Sequence, residues 1–558
     1  MPPTTSVPSL ASTVAAAILA AAPTTEPFDP QVRPSDHADL QANGLMALAG
    51  RLGVKPRDLA GSVAAALDGP ATVAGPGFLN IDFPGDVLWR QVADRLGDPR
   101  LGVGSPEAGT VSIVDYSHPN IAKEMHVGHL RSTIIGDALA RLLAFLGGSV
   151  IRQNHLGDWG TQFGMLIQYH LENEHVDDLY RRARKQFDSD PEFADRARRR
   201  VVDLQSGGAE STALWHQLVA ESKSQFAAVY DRLGVLLTDA DVAGESFYNP
   251  LLAGVAADLE ALGVARWSDG ALCVFTAPSE PPLIVRKGDG GFGYAATDLA
   301  AIRYRVETLH AEPPPSRPAP SARPHPDRIL YVVDARQALH FRQVFATARR
   351  AGWLPPTVDA RHVPFGTVLG PDGKPFKTRA GDTVKLVDLI DAAVQRAREF
   401  PGPHAEAIGI GALKYFELST NRVRDYAFDL DRMVSLTGDT GVYLQYAHAR
   451  LRSILARATP GQAVVDPATP LEPAERRLIL ELDRFGDVLA AAATAAEPHQ
   501  VCGYLARLAQ TLTAFYGACP VLNAGPEVRG NRLALCRLTA DTLRLGLGLL
   551  GIAAPDRL

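Results

Sequence analysis

The run Pro119-Asn120-Ile121-Ala122-Lys123-Glu124-Met125-His126-Val127-Gly128-His129 holds the residues best suited to chemistry. Two imidazoles flank Val-Gly where an apolar helical pattern begins. A helix start leaves backbone N–H groups without intrahelical partners and carries the positive end of the helix dipole, so it attracts anions. His126 and His129 there can donate to phosphate oxygens, Gly128 lets a nucleotide approach the backbone, and Lys123 adds a full positive charge. Such cationic donors suit a triphosphate attacked at its α-phosphorus while pyrophosphate leaves. An H-x-G-H tetrapeptide also arises by chance, as two surface histidines around a structural glycine. Its place directly after a strand and loop favours chemistry.

Those residues need rigid elements behind them. Val111 to Asp115 reads as a short apolar strand. A helix follows from about His126 to Leu146, with Leu130, Ile134, Ile135, Leu139, Leu142, Leu143 and Leu146 at helical spacing and Gly147-Gly148 ending it. Val150-Ile151 starts the next strand, completing a βαβ unit. A second unit pairs a strand at Ile329 to Val333 with a helix from about Ala338 to Ala351. The fold class expected is α/β: a Rossmann-type, doubly wound parallel-sheet catalytic domain with helical insertions. Residues from about 165 to 285 read as a mostly helical, charged insertion. Its cluster Arg181, Arg182, Arg184, Lys185, Arg196, Arg198, Arg199 and Arg200 reads first as a solvated helix face and second as an RNA contact. Pro313 to Pro326 holds seven prolines and reads as an exposed, poorly ordered loop.

Residues 1–105 read as a small α+β domain opening on a helix between Ser9 and Ala22 and ending in a strand-like run from Gly77 to Phe83. Gly97 to Gly109 reads as a linker. The catalytic domain takes 106–433, and 434–558 reads as an all-α, leucine-rich bundle. The chain of 558 residues exceeds a single core. Hydrophobic residues at 46% and charged residues at 21% exclude a fibrous or broadly disordered protein. The net charge of −6 argues only weakly against nucleic acid, because phosphate binding depends on local patches. Cys273, Cys502, Cys519 and Cys536 form no C-x-x-C pair, which points to a reduced protein without a zinc or other protein-bound metal site. No Lys or Arg precedes Arg33, so the first segment lacks the basic region of a signal peptide, and it is too short to span a membrane. A cytoplasmic location follows as the expectation.

Pro119 to His129 resembles the HIGH signature of class I aminoacyl-tRNA synthetases, in the HVGH form of the arginyl-tRNA synthetase family. The similarity continues through Leu130-Arg131-Ser132, Asn154 to Gly164, Tyr294 to Asp298, Tyr331 to Phe341, Gly373 to Leu386 and Gly438 to Arg450, in one collinear order. Gly373-Lys374-Pro375-Phe376-Lys377-Thr378-Arg379-Ala380-Gly381 stands where the family carries its KMSKS loop. It departs from that pattern, and Lys123 is the lysine that resembles its substitute.

The resemblance implies a role for each matching residue. His126, His129, Lys123 and Lys377 would be catalytic; Pro119, His126, Gly128, His129, Lys374, Lys377 and Arg379 would hold ATP, with Mg2+ arriving on the nucleotide. A bland alternative for the three loop cations is a solvated basic turn. Asn120, His155, Glu245, Tyr294, Asp298 and Gln337 would bind L-arginine, Asn120 and Gln337 at its α-amino and carboxylate end. Two carboxylates suit a planar guanidinium better than the point charge of lysine. Tyr294 lies one helical turn before Asp298, so both can face one pocket. Tyr443, Gln445, Tyr446 and Arg450 would meet tRNA(Arg), and Asp541-Thr542-Leu543-Arg544 is similar to the DALR signature of an anticodon-binding bundle. Gln41 to Gly44 and Gly75 to Phe83 resemble the amino-terminal extension that touches the tRNA elbow. Arg452, Arg457, Arg529, Arg532, Arg537 and Arg544 are further phosphate candidates, each more simply a solvating group. The resemblance also implies tRNA-dependent activation, transfer to the 2′-hydroxyl and a monomer. Two rivals are an adenylyl transferase making a small metabolite, opposed by the helical domain, and a silent RNA-binding relative, opposed by intact His126, His129, Lys123 and Asp298.

Overall fold

Residues 6–67, 71–160, 162–173, 179–309, 325–370, 372–376, 384–459 and 461–558 are described by the computed structural model. Four parallel strands form the central sheet in the spatial order Asp359–Phe365, Arg328–Asp334, Val111–Asp115, Ser149–Gln153. Alternation along each strand sorts side chains to two faces. Val114, Leu330 and Val332 join the core under helix Val127–Phe145, whereas Ile113, Ile329 and Tyr331 join the core under helices Tyr294–Glu307 and Ala338–Arg350. The strand order reverses between Val111–Asp115 and Arg328–Asp334. A crevice at the carboxyl ends of those strands is where ligands enter such sheets.

The expected βαβ units agree with the observed elements to within a residue or two at each end. The insertion differs in its second half. Helices Gln162–Glu172, Leu179–Ser189, Pro191–Gln205 and Ala209–Leu233 match the helical expectation, but Arg266–Ser268, Ala271–Val274 and Leu283–Arg286 form an antiparallel sheet. Asp269 (φ 49°) and Gly270 (φ 77°) both take the left-handed conformation, the geometry of a two-residue hairpin turn. An Asp-Gly pair between apolar residues was the local signal for it. The proline-rich run lies outside the described residues except at His325 and Pro326.

In the amino-terminal unit a four-stranded antiparallel sheet packs with helices, the first of them Leu10–Ala21, capped by the Ser9 hydroxyl accepting from the Ser12 amide at 3.0 Å. Past residue 434 only helices appear among the described residues, including Gly441–Arg457, Pro473–Asp483, His499–Ala518 and Pro526–Leu549. Leu101 and Val103, in the expected linker, are buried. Arg95, on helix Gly85–Gly97, reaches Asp483 of the bundle at 2.7 Å with both side chains buried. That segment is a packed joint.

Candidate active site

His126 is the N-cap of helix Val127–Phe145, and the two histidines cap each other's backbone. His126 Nδ1 accepts the Gly128 amide at 3.0 Å, and His129 Nδ1 accepts the His126 amide at 3.0 Å. With both Nδ1 atoms accepting, each ring carries its proton on Nε2. The rings lie 4.0 Å apart. Burial, then His126 and His118, pushes His129 down to about 3; burial, then Lys123, lowers His126. The expectation of cationic imidazoles is therefore corrected: they are neutral Nε2–H donors, and within Pro119 to His129 the positive charge beside them is that of Lys123. The helix start also differs from the expectation of free amides. The Val127 amide donates to Val384 O at 3.0 Å, Gly128 to the His126 ring, and His129 to His126 O at 2.8 Å. Gly128 serves the ring, since a Cβ there would lie 2.7 Å from His126 Cε1.

Segment Val384 to Leu386 pairs with Met125 to Val127, Leu386 N donating to Met125 O at 2.8 Å. It returns directly from the basic loop. The loop leaves through a turn in which Gly370 N donates to Lys374 O at 2.7 Å and Phe376 stacks on Phe428 at 4.9 Å. Lys374 is exposed; Lys377 and Arg379 lie outside the described residues.

The acids arrive from two directions. After helix Ala209–Leu233, the chain runs parallel to Asn154 to Leu156: Ala243 N donates to Asn154 O at 3.1 Å and Glu245 N to Leu156 O at 3.0 Å. Asp158 accepts the Ser246 amide at 2.8 Å and its hydroxyl at 2.6 Å, fixing the short turn that carries Glu245. Asp298 stands in the first turns of helix Tyr294–Glu307, with Tyr294 exposed at its start. Burial, then the carboxyls of Asp158 and Asp298, pushes Glu245 up to about 8. His155, stacked on Tyr248 at 5.5 Å, is lowered by burial against the opposing pull of Asp115 and Asp298. His118, bonded to Asp115 at 2.9 Å, acts on both His129 and His155. The histidine pair and the acids thus share one electrostatic neighbourhood. Asn120 lies half-buried, its Oδ1 2.2 Å from where a Cβ on Gly157 would stand; Pro119 is buried beside it. Gln337 is exposed in a turn directly after strand Arg328–Asp334.

Sequence reasoning missed several contributors, His118, His340 and Arg305 among them. His340 Nε2 meets Asp298 Oδ2 at 2.6 Å; its signal was a histidine three residues past Gln337, facing the same way on a starting helix. Arg305, fully buried two turns beyond Asp298, pairs with Asp115 at 2.7 Å. Burial alone raises a carboxyl, yet Arg305 and His118 hold Asp115 well below the usual range.

The suggested RNA residues divide. Tyr446 and Arg450 are exposed on helix Gly441–Arg457, and Arg450 lies over the Tyr516 ring at 4.3 Å. Tyr443 is half-buried and bonds Thr513 at 3.0 Å. Gln445 is corrected: it is fully buried, its amide donating to Ala407 O at 3.0 Å and Ala553 O at 2.8 Å, so it faces no RNA. Arg532 is likewise committed, to Glu475 at 2.7 Å, and Arg529 to Ala524 O at 2.6 Å. In the insertion Arg184, Arg196, Arg198 and Arg200 each pair with a nearby carboxylate, as solvated helix faces do.

Comparison with known proteins agrees with this geometry. The family model "tRNA synthetases class I (R), catalytic domain" matches residues 91–430, "DALR anticodon binding domain" matches 444–558, and "Arginyl tRNA synthetase N terminal domain" matches 8–83. An arginine–tRNA ligase of Frankia casuarinae is 57% identical across 98% of this chain and 97% of its own length. One from Escherichia coli is 46% identical across 95% and 96%. Among solved structures, the arginyl-tRNA synthetase of Plasmodium falciparum superposes with a TM-score of 0.83 at 27% identity, covering 99% of this chain and all of that one. The Thermus thermophilus arginyl-tRNA synthetase gives 0.81 at 27% identity, over 98% and 100%.

Proposed function

This chain belongs to the class I arginyl-tRNA synthetases, and on that premise we propose how its residues divide the work. It activates L-arginine with ATP to arginyl-adenylate and pyrophosphate, then transfers arginine to the 3′-terminal adenosine of its tRNA. In the first step an arginine carboxylate oxygen bonds the α-phosphorus and the bond to pyrophosphate breaks. The Nε2–H donors of His126 and His129 hold phosphate oxygens, and Lys123 balances the charge that develops there. Pro119 and Gly128 shape the floor; Lys374, Lys377 and Arg379 close on the triphosphate, which brings its own Mg2+. In the second step the 2′-hydroxyl attacks the arginyl carbonyl and AMP leaves.

Glu245 and Asp298 take the guanidinium, with Tyr294 across the opening, and His155 lines the pocket. Asn120 and Gln337 hold the α-amino and carboxylate end. Asp158 positions Glu245, and His340 orients Asp298. The observation that carries this reading is that the Asp298 carboxyl raises the buried Glu245 carboxyl and also acts on His155, while His118 acts on both His155 and the capped His129.

The working units are 1–105 at the tRNA elbow, 106–433 for catalysis and 434–558 at the anticodon, with Tyr443, Tyr446 and Arg450 at the junction. None of the described helices is long and apolar enough to cross a membrane. Our reading places the chain in the cytoplasm as a monomer. The test is charging of a tRNA(Arg) transcript with labelled arginine or lysine. Arginine alone should become acid-precipitable, whereas lysine charging, or none at all, rules the reading out.

A further inference from the structure

Lys123 sits in a loop pinned on both sides. Ile121 N donates to Gly157 O at 3.1 Å, Ala122 N donates to Ser222 Oγ at 2.9 Å, and Ala122 takes a left-handed φ of 57°. Among the described residues no carboxylate faces the Lys123 ammonium; the adjacent Glu124 is engaged by Lys385 at 2.6 Å. The ammonium instead lies over the ring of Tyr180, 4.0 Å from its centroid. Tyr180 belongs to helix Leu179–Ser189 of the insertion and is anchored against the main core. From this position the Lys123 charge still acts on the His126 imidazole, and Tyr180 acts on the Tyr294 hydroxyl. The ring therefore touches Lys123 directly and lies within electrostatic reach of Tyr294.

An aromatic face attracts an ammonium through its quadrupole and leaves the charge intact. A carboxylate there would cancel the charge, and an incoming triphosphate would have to displace it. We propose that Tyr180 is a positioning residue for the nucleotide step, its ring seating Lys123 beside the His126 and His129 donors so that the full positive charge is in place before ATP arrives. This deepens the reading above and rests on its assignment of Lys123 to the phosphates.

Tyr180 also borders a cavity of about 380 Å³ with Arg184, Phe187 and Arg198, so part of its side chain faces open space and not the core. The experiment is ATP–pyrophosphate exchange with tRNA present, on Tyr180→Leu, Tyr180→Phe, Lys123→Ala and the Tyr180→Leu/Lys123→Ala pair. Tyr180→Leu should lower kcat/KM for ATP by roughly 3- to 10-fold, the range of a partly exposed cation–π contact. Its KM for arginine should stay within about twofold, and Tyr180→Phe should match the unsubstituted protein. In the Lys123→Ala background Tyr180→Leu should cost nothing further, because the seat then has no occupant.

An equal loss in both backgrounds, a Tyr180→Phe defect as large as that of Tyr180→Leu, or no loss at all overturns the proposal. Unchanged ATP kinetics in Lys123→Ala would remove the lysine's own role; an impaired Lys123→Ala beside a normal Tyr180→Leu removes only the seat. Should Tyr180→Leu fail to fold, Tyr180→Trp carries the test. Its larger face should preserve or raise kcat/KM for ATP only when Lys123 is present, and a loss there overturns the proposal.

Discussion

The two histidines of the signature each use Nδ1 for architecture, and the role proposed for them in the reaction falls to the other nitrogen, Nε2. Because Nδ1 caps the helix backbone, the tautomer is set before any nucleotide binds, and both Nε2–H groups point their protons away from the cap. An asparagine at 129 can supply an acceptor for the His126 amide but has no group at the Nε2 position. His129→Asn should retain thermal stability while adenylation falls by about 100- to 1000-fold, the scale of losing one oriented donor. His129→Ala should show the same fall and lose about 1 kcal/mol of cap energy as well. Parallel stability and exchange measurements check this; equal stability losses in the two variants would contradict the capping role.

Glu245 offers a second residue-scale test. Its folded value of about 8 lies above the ordinary carboxylate range, so the native state keeps a proton that the unfolded chain gives up. Stability therefore falls as pH rises from that ordinary range to about 8, and Glu245→Gln should flatten the fall. A guanidinium beside Glu245 favours the ionised form, so arginine binding near pH 7 should release a proton. Calorimetry in buffers of different ionisation enthalpy reads this directly. Release should approach one proton in the native protein and vanish in Glu245→Gln; absence of any buffer dependence in the native protein would rule out Glu245 as a partner of the side chain.

At the scale of elements, the helix start works only if the His126 ring can fold back over residue 128. Gly128→Ala places a methyl 2.7 Å from His126 Cε1, and the ring must swing out. The expected outcome is an intact fold, a stability loss of about 1 kcal/mol for the cap, and a large drop in ATP–pyrophosphate exchange. Unaltered exchange would mean that the ring's folded position is irrelevant to the reaction. Strand Val111–Asp115, helix Val127–Phe145 and the second βαβ unit were legible because apolar periodicity and paired glycines mark them locally. The Asp269-Gly270 hairpin was legible too, but a run of charged helices upstream outweighed a two-residue signal. What no local pattern carries is long-range pairing. That Asp158 would hold Ser246, that Asp298 would meet His340, or that Val384 to Leu386 would lie along the signature depends on chain paths separated by tens to hundreds of residues. Gln445 misled for the same reason: within its helix it is a polar residue among aromatic ones, and only the approach of helix Ala405–Ser419 and the carboxyl-terminal segment buries it.

For the whole molecule, the main core is continuous from the amino-terminal helix through the sheet to the last helices, while a second core fills the other face of the sheet. Arg95 with Asp483, and Arg131 with Glu417 at 2.5 Å, are buried ion pairs that join separate parts of the chain. Breaking such a pair strands a charge in the interior. This joined body sets the reach between exposed Tyr446 and Arg450 on the bundle and the crevice at the ends of strands Val111–Asp115 and Arg328–Asp334. The net charge of −6 is no obstacle, since recognition draws on placed groups and not on totals.

The central claim is that a flat cationic side chain is held between Glu245 and Asp298 within reach of the capped histidines. Steady-state charging of tRNA(Arg) by Asp298→Ala measures it most directly. The KM for arginine should rise by an amount corresponding to roughly 2–5 kcal/mol of lost ion-pair binding, with the KM for ATP little changed. An arginine KM equal to that of the unsubstituted protein would contradict the account.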